Sequence, residues 1–131
     1  MDTTMDAHKL VLLIDDEQDF LEIMSTKLQA VGLSVETALD GEEGLAKIKA
    51  LKPDLVVLDM AMPGMTGADM ILKVKDDPEI KNTKVVFLSS VGIPAKRVQD
   101  LQHAMSIGAV GYMEKTADLN KNVSEILSYL E

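Results

Sequence analysis

At 131 residues the chain has the size of one domain, and 22 Asp plus Glu against 13 Lys plus Arg give a formal charge of −9; that charge opposes docking on phosphate backbones or anionic lipid, so no direct nucleic-acid or membrane partner is expected. The absence of cysteine excludes disulfides and thiolate metal sites and suits a reducing compartment. No apolar run approaches a membrane span and the polar leader, residues 1–8, lacks a signal-peptide core, so a soluble cytoplasmic protein is expected, with residues 9–131 as its single domain.

Leu10-Val11-Leu12-Leu13-Ile14 is apolar at every position and runs into Asp15-Asp16-Glu17. A strand with no polar face must be covered on both sides, which is the signature of a parallel sheet between helical layers. Phe20, Ile23, Met24, Leu28 and Val31 recur at helical spacing before Gly32 and predict a first helix. Val35, Thr37 and Leu39 alternate with polar residues and predict a half-exposed strand near the sheet edge, followed by a turn at Asp40-Gly41. Leu45, Ile48 and Leu51 predict a second helix, stopped by Pro53.

Leu55-Val56-Val57-Leu58-Asp59 is the second unbroken run and predicts the central strand, ending on a carboxylate. Gly67 to Asp76 carries Met70, Ile71 and Val74 on one face and predicts a third helix. Val85-Val86-Phe87-Leu88 closes on Ser89-Ser90, and Pro94 to Ile107 reads as a fourth helix. Val110 to Glu114 is a fifth strand leading to Lys115, and Leu119 to Leu130 a closing helix with Val123, Ile126, Leu127 and Leu130 inward. Strict alternation of strand and helix predicts an α/β fold, a doubly wound five-stranded parallel sheet with five helices and right-handed crossovers. No linker, repeat or low-complexity stretch interrupts it, and no second domain is expected after the last helix.

In such sheets ligands bind outside the carboxyl ends of the strands. That edge receives Asp15, Asp16, Asp59, Ser89 and Lys115. Each has a duller explanation alone: Asp16 could cap the first helix, Ser89 could bond local backbone, Lys115 could be a solvated lysine, and Asp59 could start a turn. Together they form a chemistry. Two ionised carboxylates about 4 Å apart repel by roughly 4 kcal/mol at an effective dielectric near 20, so three of them call for a cation. An all-oxygen set suits Mg²⁺, which often bridges to a phosphoryl group. A lysine and a hydroxyl beside it are the parts that stabilise charge during phosphoryl transfer, with Asp59 as the nucleophile.

Ile14-Asp15-Asp16, Leu58-Asp59-Met60-Ala61-Met62-Pro63-Gly64-Met65-Thr66-Gly67, Phe87-Leu88-Ser89-Ser90 and Gly108-Ala109 through Tyr112 to Lys115 together resemble the receiver domain of two-component response regulators, typified by the single-domain chemotaxis regulator. The resemblance implies the flavodoxin-like strand order 2-1-3-4-5. It implies Asp59 as phosphoacceptor, Asp15 and Asp16 as the acidic pair holding Mg²⁺ with Asp59 and the Ala61 carbonyl, Ser89 as switch hydroxyl, Lys115 as phosphoryl-binding lysine and Tyr112 as aromatic switch. It implies a sensor histidine kinase or phosphotransfer protein as donor, a downstream effector protein as target, and a monomer or weak dimer. The protein would be a phosphoacceptor rather than an enzyme acting on a separate substrate, catalysing its own phosphorylation and slow dephosphorylation. Its readout face would be the fourth helix, fifth strand and fifth helix, with Met105, Val110 and Tyr112 as contacts. Two features depart from the family: Thr116 stands where proline usually follows the lysine, and the stretch from Ser89 to Gly108 is a few residues longer than in the chemotaxis regulator.

Rival readings are poorer. Asp15-Asp16-Glu17 would repel a flavin phosphate, and a haloacid-dehalogenase-like phosphatase needs an acid where Ala61 stands. A receiver fold that binds a partner without phosphorylation is the stronger alternative. His8 and His103 lack metal-ligand spacing and read as surface residues, while Met60, Met62 and Met65 read as loop packing. The Lys115–Thr116 bond is expected to be trans, because a cis bond without proline costs about 2.5 to 4 kcal/mol, with the long lysine stem still reaching the acidic cluster.

Overall fold

A computed structural model describes residues 9–60, 62, 64–89, 102–103 and 105–131. The polar leader, the Ala61 carbonyl, His8, the Val91-Gly92-Ile93-Pro94 loop and most of the fourth helix lie outside them. Five strands, β1 (Leu10–Ile14), β2 (Ser34–Ala38), β3 (Leu55–Asp59), β4 (Val85–Ser89) and β5 (Gly111–Glu114), form one sheet. Its order is β2-β1-β3-β4-β5, and every pairing is parallel. Around it stand α1 (Gln18–Ala30), α2 (Gly41–Leu51), α3 (Gly67–Asp76) and α5 (Leu119–Tyr129); helical residues 102–103 and 105–107 are the described part of α4.

The all-apolar runs lie where their composition demands. All five residues of β3 and of β4 are buried, each large apolar side chain contributing about 1.5–3 kcal/mol by leaving water. Period-2 alternation divides the core. Leu12, Ile14, Val56, Leu58, Val85 and Phe87 face Ile48 of α2 and Met70, Ile71 and Val74 of α3. Val11, Leu13, Leu55, Val57, Val86, Leu88 and Met113 face Leu21, Met24 and Leu28 of α1 and Val123, Ile126 and Leu130 of α5. Met60 and Met62 are buried in the first layer and Met65 packs against it, so the loop methionines fill space.

Helix starts follow local chemistry. Asp40 accepts from the Glu43 amide and begins α2 at Gly41, earlier than the apolar spacing alone suggests. Thr66 and Asp69 form a capping box on α3. A Cβ at Gly67 would stand 2.6 Å from Phe87 Cε1, so only glycine lets α3 begin this close to β4, directly after the loop that leaves Asp59.

In α1 the inward stripe is Leu21, Met24 and Leu28. Ile23 and Val31, expected inward, are each 48% exposed. Ile23 lies one position, about 100° of helix rotation, from Met24, and Val31 is the C-cap beyond the last turn. Leu39 and Leu51 are likewise exposed, Leu39 because β2 ends on buried Ala38. Among the described residues no helix is long and apolar enough to cross a membrane.

Candidate functional site

The register pairs Ile14 with Leu58, so the next residues, Asp15 and Asp59, leave neighbouring strands side by side. Both share the alternation of Leu13 and Val57 and therefore lie on the α1/α5 side of the sheet. The Asp15 amide donates to the Ala38 carbonyl at 3.0 Å, and Asp15 Oδ1 accepts from the Glu17 amide at 2.9 Å. That tight turn leaves Asp16 exposed, and Glu17, not Asp16, is the N-cap of α1, without a side-chain cap bond. One carboxylate oxygen from each of Asp15, Asp16 and Asp59 lies within 4.8 Å of the others. Asp16 also lines an open cleft with Glu17, Gln18, Asp19 and Leu39.

Lys115 reaches this cluster from β5. Its amide donates to the Ser89 carbonyl at 2.7 Å, which ties the end of β5 to β4. Its Nζ stands 2.8 Å from Asp15 Oδ2 and 4.0 Å from Asp59 Oδ2, and it also pairs with Glu17 Oε1. The ammonium lies 4.7 Å from the centre of the Phe20 ring, within cation–π range. With its side chain only 16% exposed, Lys115 is no solvated surface lysine. The Lys115–Thr116 bond is trans, and the stem reaches the acids from it.

Burial pushes the Asp15 carboxyl above its ordinary value; the Lys115 contact and the Glu17 amide oppose that, and the Asp59 charge adds to it. The partner of Asp15 Oδ2 is the Lys115 ammonium at 2.8 Å. For Lys115, burial alone would favour the neutral amine, but hydrogen bonds to Asp15 and Glu17 and the charges of Asp15 and Asp59 outweigh it and raise the amine.

This donor set fits a hard divalent cation. All ligands are oxygens, one side is open to solvent, and a buried carboxylate lacks full compensation. Oxygens on one Mg²⁺ at about 2.1 Å lie at most about 4.2 Å apart, so a spread of 4.8 Å is a small side-chain adjustment away from a shared ion.

Ser89 ends β4 on the opposite alternation, that of Val85 and Phe87. Its buried Oγ has no hydrogen-bond partner among the described residues. Tyr112 is paired with Phe87 in register and Glu114 with Ser89, placing Tyr112 diagonally beside Ser89; its side chain is 48% exposed. Met105 and Val110 are also exposed, as is His103. The structure thus brings Asp15, Asp16, Asp59 and Lys115 together, with Ser89 at the next strand end. Glu17 and Phe20, which hold the lysine from α1, were not among the expected site residues, although Glu17 completes the acidic run after β1.

A doubly wound parallel sheet with three clustered carboxylates and a half-buried lysine at its carboxyl edge has the architecture of a receiver domain. The chain belongs to that family: the response regulator receiver domain model matches residues 11–127. Among its relatives, chemotaxis protein CheY of Treponema pallidum is 34% identical over 124 residues, covering 92% of this chain and 82% of that protein. Response regulator PleD of Caulobacter vibrioides is 33% identical over 108 residues, covering 82% of this chain and 23% of that protein. Of PleD and several other curated relatives the chain spans only 23% to 51%. Chemotaxis protein CheY4 of Vibrio cholerae superposes with a TM-score of 0.82 at 28% identity, covering 94% of this chain and 99% of that one. Response regulator TrrA of Thermotoga maritima, solved in complex with Mg²⁺ and BeF, gives 0.77 at 28% identity, covering 93% and 99%.

Proposed function

We propose that this receiver accepts a phosphoryl group on Asp59 from a phosphohistidine of a sensor kinase or phosphotransfer protein and passes the signal to another protein through a switched surface. The observation that carries this reading is the meeting of three carboxylates within 4.8 Å of one another with the Lys115 ammonium 4.0 Å from Asp59. It also accords with the Mg²⁺–BeF complex of TrrA.

An Asp59 carboxylate oxygen attacks phosphorus, the O–P bond forms as the histidine N–P bond breaks, and the electron pair stays on the imidazole nitrogen, which then takes up a proton. Asp15, Asp16 and Asp59, with the Ala61 carbonyl that lies outside the described residues, would hold Mg²⁺, which would supply positive charge against the transferring group. Lys115 swings from Asp15 and Glu17 to a phosphoryl oxygen, giving the new charge a fixed counter-ion. The Ser89 hydroxyl, with no hydrogen-bond partner among the described residues, donates to another phosphoryl oxygen. That movement vacates space into which Tyr112 turns, biasing a two-state surface.

Intact mass after incubation with acetyl phosphate and Mg²⁺ tests the reading. Wild type should gain one phosphoryl group and Asp59→Asn none. A wild type that stays unlabelled would favour a receiver fold that binds its partner without phosphorylation, and equal labelling of Asp59→Asn would move the acceptor elsewhere.

A further inference from the structure

Asn122 is completely buried, on the inward face of α5 between apolar Leu119, Val123 and Ile126. A carboxamide in an apolar layer is costly unless its hydrogen bonds are made. Here they are made, and three of four go to the residues flanking Lys115. Its Nδ2 donates to the Glu114 carbonyl at 2.9 Å and to Glu125 Oε1 at 3.1 Å. Its Oδ1 accepts from the Thr116 amide at 3.4 Å and from the Thr116 hydroxyl at 3.2 Å. The amide orientation is fixed by its partners, since a backbone carbonyl can only accept and a backbone N–H can only donate. The single Thr116 hydroxyl proton is shared between Asn122 and the Asp118 carbonyl, which is closer at 2.7 Å.

The Glu114 carbonyl belongs to the peptide group before the Lys115 Cα, and the Thr116 amide to the one after it. One side chain therefore grips both. We infer that the Asn122 carboxamide, together with the Thr116 hydroxyl, is a positioning clamp that sets the direction in which Lys115 leaves the backbone and so places its ammonium over the acidic cluster. A proline at this position would have no N–H to offer Asn122, whereas Thr116 offers both an amide and a hydroxyl. A lysine stem has several rotatable bonds, so fixing its root is the effective way to keep its head within a few ångströms of the reacting oxygen.

The catalytic consequence rests on the proposed phosphorylation of Asp59; the geometric one does not, and two readouts separate them. The first is the nuclear Overhauser contact between Lys115 side-chain protons and the Phe20 ring, 4.7 Å from the ammonium, in wild type, Asn122→Leu, Thr116→Val and Thr116→Ser. The contact should weaken in Asn122→Leu and Thr116→Val and persist in Thr116→Ser, which keeps the hydroxyl. The second is the phosphorylation rate with acetyl phosphate, expected to fall roughly tenfold or more in Asn122→Leu, the scale on which small misplacements act. In a Lys115→Ala background the same substitution should change the residual rate by less than about twofold, because a residue acting through Lys115 has nothing left to position. An unchanged Lys115–Phe20 contact in a folded Asn122→Leu protein, or losses that multiply in the double variant, overturns the clamp. If Asn122→Leu does not fold, Thr116→Val against Thr116→Ser decides by the same criteria. A wild type that takes up no phosphoryl group refutes the phosphorylation reading, and the Phe20 contact alone then judges the clamp.

Discussion

Lys115 Nζ lies 2.8 Å from Asp15 Oδ2 but 4.0 Å from Asp59 Oδ2, so the lysine at this sheet edge is first the counter-ion of the buried Asp15. Removing it leaves two buried carboxylates facing one another. Breaking a buried ion pair costs about 3–5 kcal/mol, and residual solvent contact of the lysine puts this one near about 2–3. Lys115→Met should therefore lose that much stability in urea unfolding without Mg²⁺. With saturating Mg²⁺ the loss should shrink, since the cation replaces the missing charge. An equal loss under both conditions would show that the lysine acts by packing alone.

Asp15 gives a pH dependence of defined sign. Its folded pKa is raised above the ordinary 3.8, chiefly by burial, so the folded state holds that proton more tightly than the unfolded chain. The resulting stability is present below the ordinary value and is lost as pH rises through the raised one. In metal-free buffer at neutral pH, Asp15→Asn should accordingly be more stable than wild type, and the difference should vanish as the solution is made acid. Lys115, also raised, contributes stability below its ordinary 10.5 that is lost as pH climbs past its folded value. Parallel urea titrations of the two proteins across acid and neutral pH, in chelator, measure the Asp15 effect; a constant difference would contradict it.

Mg²⁺ should raise the thermal midpoint, because an ion that binds the native cluster and not the unfolded chain adds about 2.7 kcal/mol of stability at a hundredfold excess over its dissociation constant. Asp16→Ala should abolish most of that shift. Asp16 is exposed and carries no cap bond, so its loss should hardly change metal-free stability. An unchanged Mg²⁺ response in the variant would place the ion elsewhere.

The buried half of this architecture was legible because it is written in composition. Runs apolar at every position can only be strands covered on both faces, and their terminal residues fix which carboxylates meet at the edge. The α1 stripe was misread through Ile23 and Val31 because a spacing of three or four fits several neighbouring rows, and only packing against the sheet selects Leu21, Met24 and Leu28. The partners of Lys115 were harder still: Glu17 and Phe20 come from another element, and their approach depends on how α1 crosses the sheet. Asn122 did leave a trace, a lone polar residue on the inward stripe of Leu119, Val123 and Ile126, but nothing local says which backbone groups it would meet.

Gly67 tests the packing that seats α3 behind the Asp59 loop. A methyl group there would lie 2.6 Å from Cε1 and 3.1 Å from Cδ1 of fully buried Phe87. Helix propensity favours alanine over glycine by about 1 kcal/mol, but forcing a core ring aside typically costs about 1–3. Overpacking should win, so Gly67→Ala should lower the urea midpoint. A stabilised variant would mean that Phe87 can rotate away freely.

The pairing of Phe87 with Tyr112 and of Ser89 with Glu114 puts Tyr112 and Ser89 on one face of adjacent strands, at the diagonal spacing of about 7–8 Å that aromatic side chains bridge. Tyr112 is half exposed and the Ser89 hydroxyl has no hydrogen-bond partner among the described residues. On the proposed reading, a phosphoryl oxygen at Asp59 draws the Ser89 hydroxyl toward the site and favours the inward position of Tyr112. A modest differential interaction is enough to shift such a population. Wild type should therefore show changed ring-proton shifts at Tyr112 on phosphorylation, together with changes at neighbouring Val110 and Met105. Ser89→Ala should still be phosphorylated, because Asp59, Lys115 and the metal ligands are intact, but the Tyr112 response should be much smaller. An undiminished response in Ser89→Ala would remove the hydroxyl from the route and leave the β4 backbone, tied to Lys115 through the Ser89 carbonyl, as the element that carries the signal.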